Sequence, residues 1–202
     1  MCAAVQARAA TVAVSVSDMG GKPAANAVVE LVADAPSAAS GGHVPAEAVI
    51  DQRHETFLPL VSLVRKGGAV TFTNNDTTMH QVYSFSPIKQ FQFEIDRGQR
   101  SKPVVFDKPG VASIGCNIHD QMITYVYVAE SPYAAMTDAA GDVSFENVPA
   151  GAYRAQVWHP MLTPGKPVPQ QAITVAKDNA SLSFALPITS SAPMKRMHMG
   201  SY

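Results

Sequence analysis

Two stretches of the chain carry side chains that could do chemistry together. One reads Gly115-Cys116-Asn117-Ile118-His119-Asp120-Gln121-Met122, and the other Asn74-Asn75-Asp76-Thr77-Thr78-Met79-His80-Gln81. A thiolate, two imidazoles and a thioether form a soft, mixed donor set. Such a set suits copper cycling between Cu(I) and Cu(II), with two His and one Cys in a trigonal plane and a weak axial Met. Cys116, His119 and Met122 fall at i, i+3 and i+6, so one tight loop can present all three to one point. His80 lies 36 residues before Cys116 and has to arrive on a separate strand. A rigid β scaffold can hold such a set in one geometry whatever the oxidation state, which lowers the reorganisation that accompanies electron transfer.

Other chemistries fit these residues less well. A lone Cys in an apolar strand is commonly a small buried hydrophobe, but that does not account for a Cys-x-x-His-x-x-Met loop with a His upstream. Structural zinc favours Cys, His and carboxylate, and Met is a poor ligand for it, so zinc would require Asp120 as a substitute. A Cys–His nucleophile lacks an orienting third residue and an oxyanion-hole pattern, and we expect no enzyme. The six histidines are His43, His54, His80, His119, His159 and His198. With two of them in a type 1 site, too few remain for a trinuclear copper cluster.

The two stretches resemble the ligand segments of small blue copper proteins, the cupredoxins. The ligand loop is closest to the amicyanin type, and the Gly-Cys-Asn-Ile-His-Asp run followed by β text is similar to cupredoxin-like methylamine-utilisation proteins. The resemblance covers about residues 57–128. It implies one type 1 copper held by His80, Cys116, His119 and Met122, with Asn74 and Asn117 as supporting residues behind them. Asn74 stands six residues before His80, and the resemblance gives it the role of tying the His80 loop to the ligand loop. The sequence departs from the family at Gln81, where an Asn is common, and at Asp120, a carboxylate beside the ligand expected to face solvent. His119 is then the edge through which electrons pass, flanked by an apolar docking patch of Met79, Pro87 and Ile118. The implied function is single-electron transfer with a redox partner protein. The alternative is a copper-handling or resistance protein that stores or delivers the metal, using Met79 and the Met-rich tail as well. A scaffold with a vestigial site is the third reading.

Composition narrows the setting. The chain has 202 residues, 15% of them charged and 47% hydrophobic, with a formal net charge of −1. That balance provides no basic face for nucleic acid and is too apolar for wholesale disorder. No apolar run reaches the roughly 18 residues of a membrane span. Ala7-Arg8-Ala9 fits the small-x-small rule for signal cleavage, though no apolar stretch precedes it. Residues 1–10 read either as an export-signal remnant or as an alanine-rich start, and a periplasmic or otherwise exported location is expected. Of the two cysteines, Cys2 sits at the terminus, which leaves Cys116 as a free thiol or a ligand.

Short alternating or β-branched runs dominate, broken by Gly, Pro, Asn and Asp at intervals typical of sandwiches. Thirteen strands are expected: residues 11–17, 27–32, 60–64, 69–73, 81–85, 91–95, 104–106, 111–115, 123–128, 143–146, 153–157, 171–175 and 182–185. The expected class is all-β, a Greek-key cupredoxin-like β-sandwich with a second, smaller β-sandwich domain. Thr11–Leu31 and Thr137–Val157 resemble two hairpins of a carboxypeptidase-regulatory-like sandwich, the second through its Thr-Asp-x-x-Gly, Asn-Val-Pro and Gly-x-Tyr run. On that resemblance residues 11–34 and 132–188 form one domain, and residues 50–131 are a copper domain inserted into it. Residues 33–42 read as a linker, and 189–202 as a flexible Met-rich tail with Met194, Met197, His198 and Met199.

Overall fold

The computed structural model describes residues 10–35, 43–176 and 178–188. The expectations for Cys2 and the Ala7–Ala9 cleavage motif, for most of the linker, and for the tail methionines and His198 fall outside the described residues. The chain is all-β, and no helix forms among the described residues. In chain order the first eight strands are β1 (Ala10–Asp18), β2 (Val28–Ala33), β3 (Glu47–Gln52), β4 (Phe57–Leu58), β5 (Val61–Arg65), β6 (Gly68–Asn74), β7 (His80–Ser86) and β8 (Lys89–Ile95). The remaining eight are β9 (Val104–Phe106), β10 (Gly110–Cys116), β11 (Ile123–Ala129), β12 (Ala134–Met136), β13 (Asp142–Val148), β14 (Gly151–Trp158), β15 (Gln170–Val175) and β16 (Ala180–Leu186).

Four sheets result. Strands from the two ends of the chain build β13-β1-β16 and β12-β2-β14-β15, while strands from its middle build β4-β3-β6-β9 and β5-β11-β10-β7-β8. Each pair of sheets encloses its own core. One core gathers Val12, Val14, Leu31, Tyr153, Val157 and Phe184. The other gathers Ile50, Phe72, Val82, Phe106, Ile114 and Val126, together with Cys116 and Met122. Period-two alternation accounts for the strands that line one core only: Ala10–Asp18 and Gly68–Asn74 bury every second side chain.

β2 is different, because its first four residues are buried on both faces. Val29 and Leu31 enter the outer core. Val28 instead joins Val61, Leu63, Tyr127, Ala129 and Ala134 in a third cluster between the two pairs of sheets, with Trp158 packed against it. Glu30 is buried in the same seam. Its carboxylate accepts hydrogen bonds from the Tyr127 hydroxyl (2.7 Å), the Gln156 amide (2.9 Å) and the backbone N–H groups of Glu130 (2.8 Å) and Ser131 (2.7 Å). A buried charge satisfied this fully fixes how the strands on either side meet, since shifting them would strand the carboxylate.

Three strands escaped the sequence reading. β3 pairs in parallel with β6, and its polar end Gln52 is fully buried, its amide bonded to the Thr73 carbonyl at 3.1 Å. A Gln inside the core masks the apolar pattern of a strand. β4 has two residues and β12 three, each too short to carry a period.

Tyr127 permits a test of the seam. Burial, and then the charge of Glu30, raises its phenol well above the usual tyrosine range. The unfolded chain therefore releases this proton near pH 10 while the folded chain retains it, so stability complete below that pH falls as pH rises beyond it. We expect Tyr127→Phe to cost about 1–3 kcal/mol at neutral pH by leaving part of Glu30 unsatisfied. The variant should also lose less stability than the parent on going above roughly pH 10. Urea unfolding midpoints at the two pH values measure both effects.

Candidate metal centre

The site forms where β7 begins and β10 ends. These strands pair antiparallel, with Cys116 opposite Val82 and Gly115 opposite Tyr83, which brings the end of one beside the start of the other. Gly115 leaves room for the Tyr83 ring: a Cβ there would stand 2.7 Å from it, on the face of β10 opposite Cys116. The ligand atoms of His80, Cys116 and His119 all lie within 4.8 Å of one another. His80 Nδ1 faces Cys116 Sγ at 3.6 Å, and the two imidazole rings are centred 5.0 Å apart. Two donors about 2.0–2.3 Å from a shared ion, at trigonal or tetrahedral angles, stand about 3.5–3.8 Å apart. The observed spacing is of that size. His80 and Cys116 are buried.

Each imidazole is aimed by the atoms around it. Nε2 of His80 sits 3.2 Å from Asp76 Oδ2, an arrangement that assigns the proton to Nε2 and leaves Nδ1 free as a donor to metal. Asp76 is itself anchored: its carboxylate accepts from the backbone N–H of Glu55 (2.6 Å) and of Thr77 (2.8 Å). The Glu55 bond does most to hold this carboxyl below the usual carboxylate range; desolvation opposes it, and Thr77 and His80 add to it. His119 Nδ1 is buried without a hydrogen-bond partner, while Nε2 points outward, 3.7 Å from Glu55 Oε1. A buried imidazole nitrogen is expensive unless something pairs with it. A metal ion at the center of the three donors would do so.

Met122 completes the loop. Its N–H donates to the His119 carbonyl at 3.0 Å, closing the turn that lets His119 and Met122 share a region, and its side chain is buried in the same core cluster as Cys116. Asp120 is exposed and lies outside the donor group of His80, Cys116 and His119. The soft donors that remain fit copper.

The supporting residues divide their work differently from expectation. Asn74 donates to the carbonyls of Thr78 (2.8 Å) and Ile95 (2.8 Å) and accepts from the Asp76 N–H (2.9 Å), so it knots the loop before His80 to β8. None of these bonds reaches the ligand loop. Asn117 makes that connection, donating through its side chain to Gln81 Oε1 (2.7 Å) and through its backbone to the Gln81 carbonyl (3.0 Å). The apolar patch also needs revision. Ile118 (45% exposed) adjoins His119 in the ligand loop and Met79 (37%) adjoins His80, while the His119 side chain is 18% exposed. Pro87 follows the far end of β7, seven residues and about 23 Å of strand from His80. Leu58 and Leu60, each 48% exposed, lie on the segment after Glu55, whose carboxylate is 3.7 Å from His119 Nε2.

Glu55 and Asp76 were not found from the sequence. Both depend on the two-residue turn between β3 and β4, where His54 and Glu55 take φ of 52° and 54°. Positive φ at both central positions is the type I′ hairpin geometry, usually filled by Asn-Gly. The His-Glu pair here carries no such signal, and strain of this kind concentrates at functional sites.

No protein family matches the chain in a family scan, and no curated protein matches it. Solved structures similar to it include a purple cupredoxin from Nitrosopumilus maritimus, at 25% identity and a TM-score of 0.37, covering 41% of this chain and 99% of that one. Amicyanin from Paracoccus versutus is 21% identical with a TM-score of 0.37, covering 50% of this chain and 92% of that one. A copper-containing nitrite reductase from Thermus scotoductus is 22% identical with a TM-score of 0.39, covering 49% of this chain and 25% of that one. Each likeness spans half of this chain or less.

Asn74 yields a prediction that needs no metal. Asn74→Ala removes the bonds to the Thr78 and Ile95 carbonyls, the second of them buried, and we expect a loss of about 2–4 kcal/mol in the metal-free protein. A urea midpoint unchanged within error would show that the knot does not hold the His80 loop.

Proposed function

We propose that the chain is an exported type 1 copper protein that passes single electrons, with His80, Cys116 and His119 as the strong ligands and Met122 as the weak axial one. The convergence of Cys116 with two imidazoles, one of them holding an unpaired buried nitrogen, is the observation that carries this reading. Copper bound there supplies one-electron exchange between Cu(I) and Cu(II). The protein supplies rigidity. His80 is fixed at the start of β7 by Asp76, Cys116 ends β10 inside the core, and the Asn117–Gln81 bonds lock the two segments together. Donors held this way relax little when the oxidation state changes. His119 is the ligand that reaches the surface, and exposed Ile118 and Met79, which adjoin His119 and His80 in the chain, suit a transient redox partner protein. In this reading residues 50–131 are the copper unit, set within a carboxypeptidase-regulatory-like unit of residues 11–34 and 132–188 that positions it and does no chemistry. A periplasmic location agrees with a solvent-reachable copper centre.

The test is an absorption spectrum and a metal count after Cu(II) addition. One copper per chain with an intense visible thiolate-to-copper band is expected, and Cys116→Ser should abolish the band, because it belongs to the thiolate. Met122→Gln should retain copper and shift the reduction potential. Loss of the metal from Met122→Gln would contradict the axial assignment. A truncation after Ile188 separates this function from copper storage or delivery: a carrier keeps its single copper, whereas a handling protein loses much of what it binds.

A further inference from the structure

A cleft of about 450 Å³ lies between the outer face of β10–β11 and the loop that follows β14. It is separate from the metal centre. Ser113 and Ile123 form its floor, on the opposite face of strands whose ends carry Cys116 and Met122 into the core. We propose that this cleft binds a small, flat aromatic molecule bearing one negative charge.

Its size falls in the range of small-molecule pockets, roughly 300–1,000 Å³. Its shape and polarity give the ligand class. Tyr125 and Trp158 stand at 5.5 Å with their planes at 60°, forming two aromatic sides of a corner. Burial lifts the Tyr125 phenol above the usual tyrosine range, as a dry wall would. Leu162, Val168 and several prolines close the opposite side. Aromatic rings meet such surfaces edge-to-face or stacked, which selects a planar ligand over a flexible chain. Among the described residues Lys166 is the single charged side chain on the lining and no carboxylate lies there with it, so an anionic end is favoured.

The roof of the cleft is preformed. The loop is closed at its base by the Val157 N–H bonded to the Pro169 carbonyl at 3.0 Å. Two turns shape it, Leu162 N–H to His159 carbonyl at 3.0 Å and Lys166 N–H to Thr163 carbonyl at 3.3 Å. Pro160, Pro164, Pro167 and Pro169 fix φ along it, so little entropy is left to lose on binding. A loop whose only task was to cover β11 would need neither the turns nor the open space beneath it.

The probe is 2-naphthoate, titrated calorimetrically into the full metal-free chain, with 2-naphthylmethanol as its neutral counterpart. Working without metal keeps the outcome independent of the copper proposal. Trp158 is the single tryptophan, so its emission reports occupancy directly. One saturable site per chain with quenching of Trp158 is expected. Lys166→Ala should weaken naphthoate three- to tenfold, and the neutral alcohol should bind the parent correspondingly less tightly. Ile123→Trp, which fills the floor, should weaken binding at least tenfold, and Ser113→Phe fills the same floor from β10 should the first variant fail to fold. Absence of saturable binding, or full affinity in a folded floor-filling variant, would overturn the site. An alcohol that binds as tightly as the acid would overturn the anionic class.

Discussion

The site depends on one juxtaposition, His80 Nδ1 held 3.6 Å from Cys116 Sγ across the seam between β7 and β10. Two strands distant in sequence need to pair in one register to bring these atoms together. A slip of one residue would put His80 and Cys116 on opposite faces of the sheet, because side chains alternate across a strand. Much of the surrounding structure serves that register. Val82 and Ile114 on the two strands are buried in the same core, Gly115 makes room for the Tyr83 ring, and Asn117 returns to Gln81. Asn74 and Asp76 then hold the loop that leads into His80, so the imidazole is aimed before any metal arrives.

Beyond that seam the architecture isolates the site from the rest of the chain. The sheets built from the two ends of the chain have their own core and meet the copper-side sheets through the Val28–Tyr127 cluster and the buried Glu30 carboxylate. These contacts lie on the outer face of β5 and β11, away from the surface where His119 emerges. The His119 edge can therefore stay open while the second pair of sheets packs behind it. The same arrangement leaves space over β10 and β11, and that space is the aromatic-lined cleft.

The parts of this arrangement legible in the sequence are those that depend on local spacing. The Cys116–His119–Met122 loop can be read because three donors fall within one turn, and strands such as β1 and β6 because their burial alternates. What sequence does not disclose is set by pairing at a distance. Gln52 in the core conceals β3, and without β3 the turn that delivers Glu55 to His119 and its N–H to Asp76 has no visible purpose. Pro87 is expected in the apolar patch around His119, yet strand length carries it to the far end of β7. The exchange of duties between Asn74 and Asn117 has the same cause, since which carbonyl each amide reaches depends on strand register and not on its distance along the chain.

X-ray absorption at the copper edge of the loaded chain is the most direct test. A first shell of one short copper–sulfur contact and two imidazole nitrogens, with the sulfur lost in Cys116→Ser, is what this geometry requires. A shell of nitrogen and oxygen alone, unchanged by that substitution, would place the metal elsewhere and contradict the account.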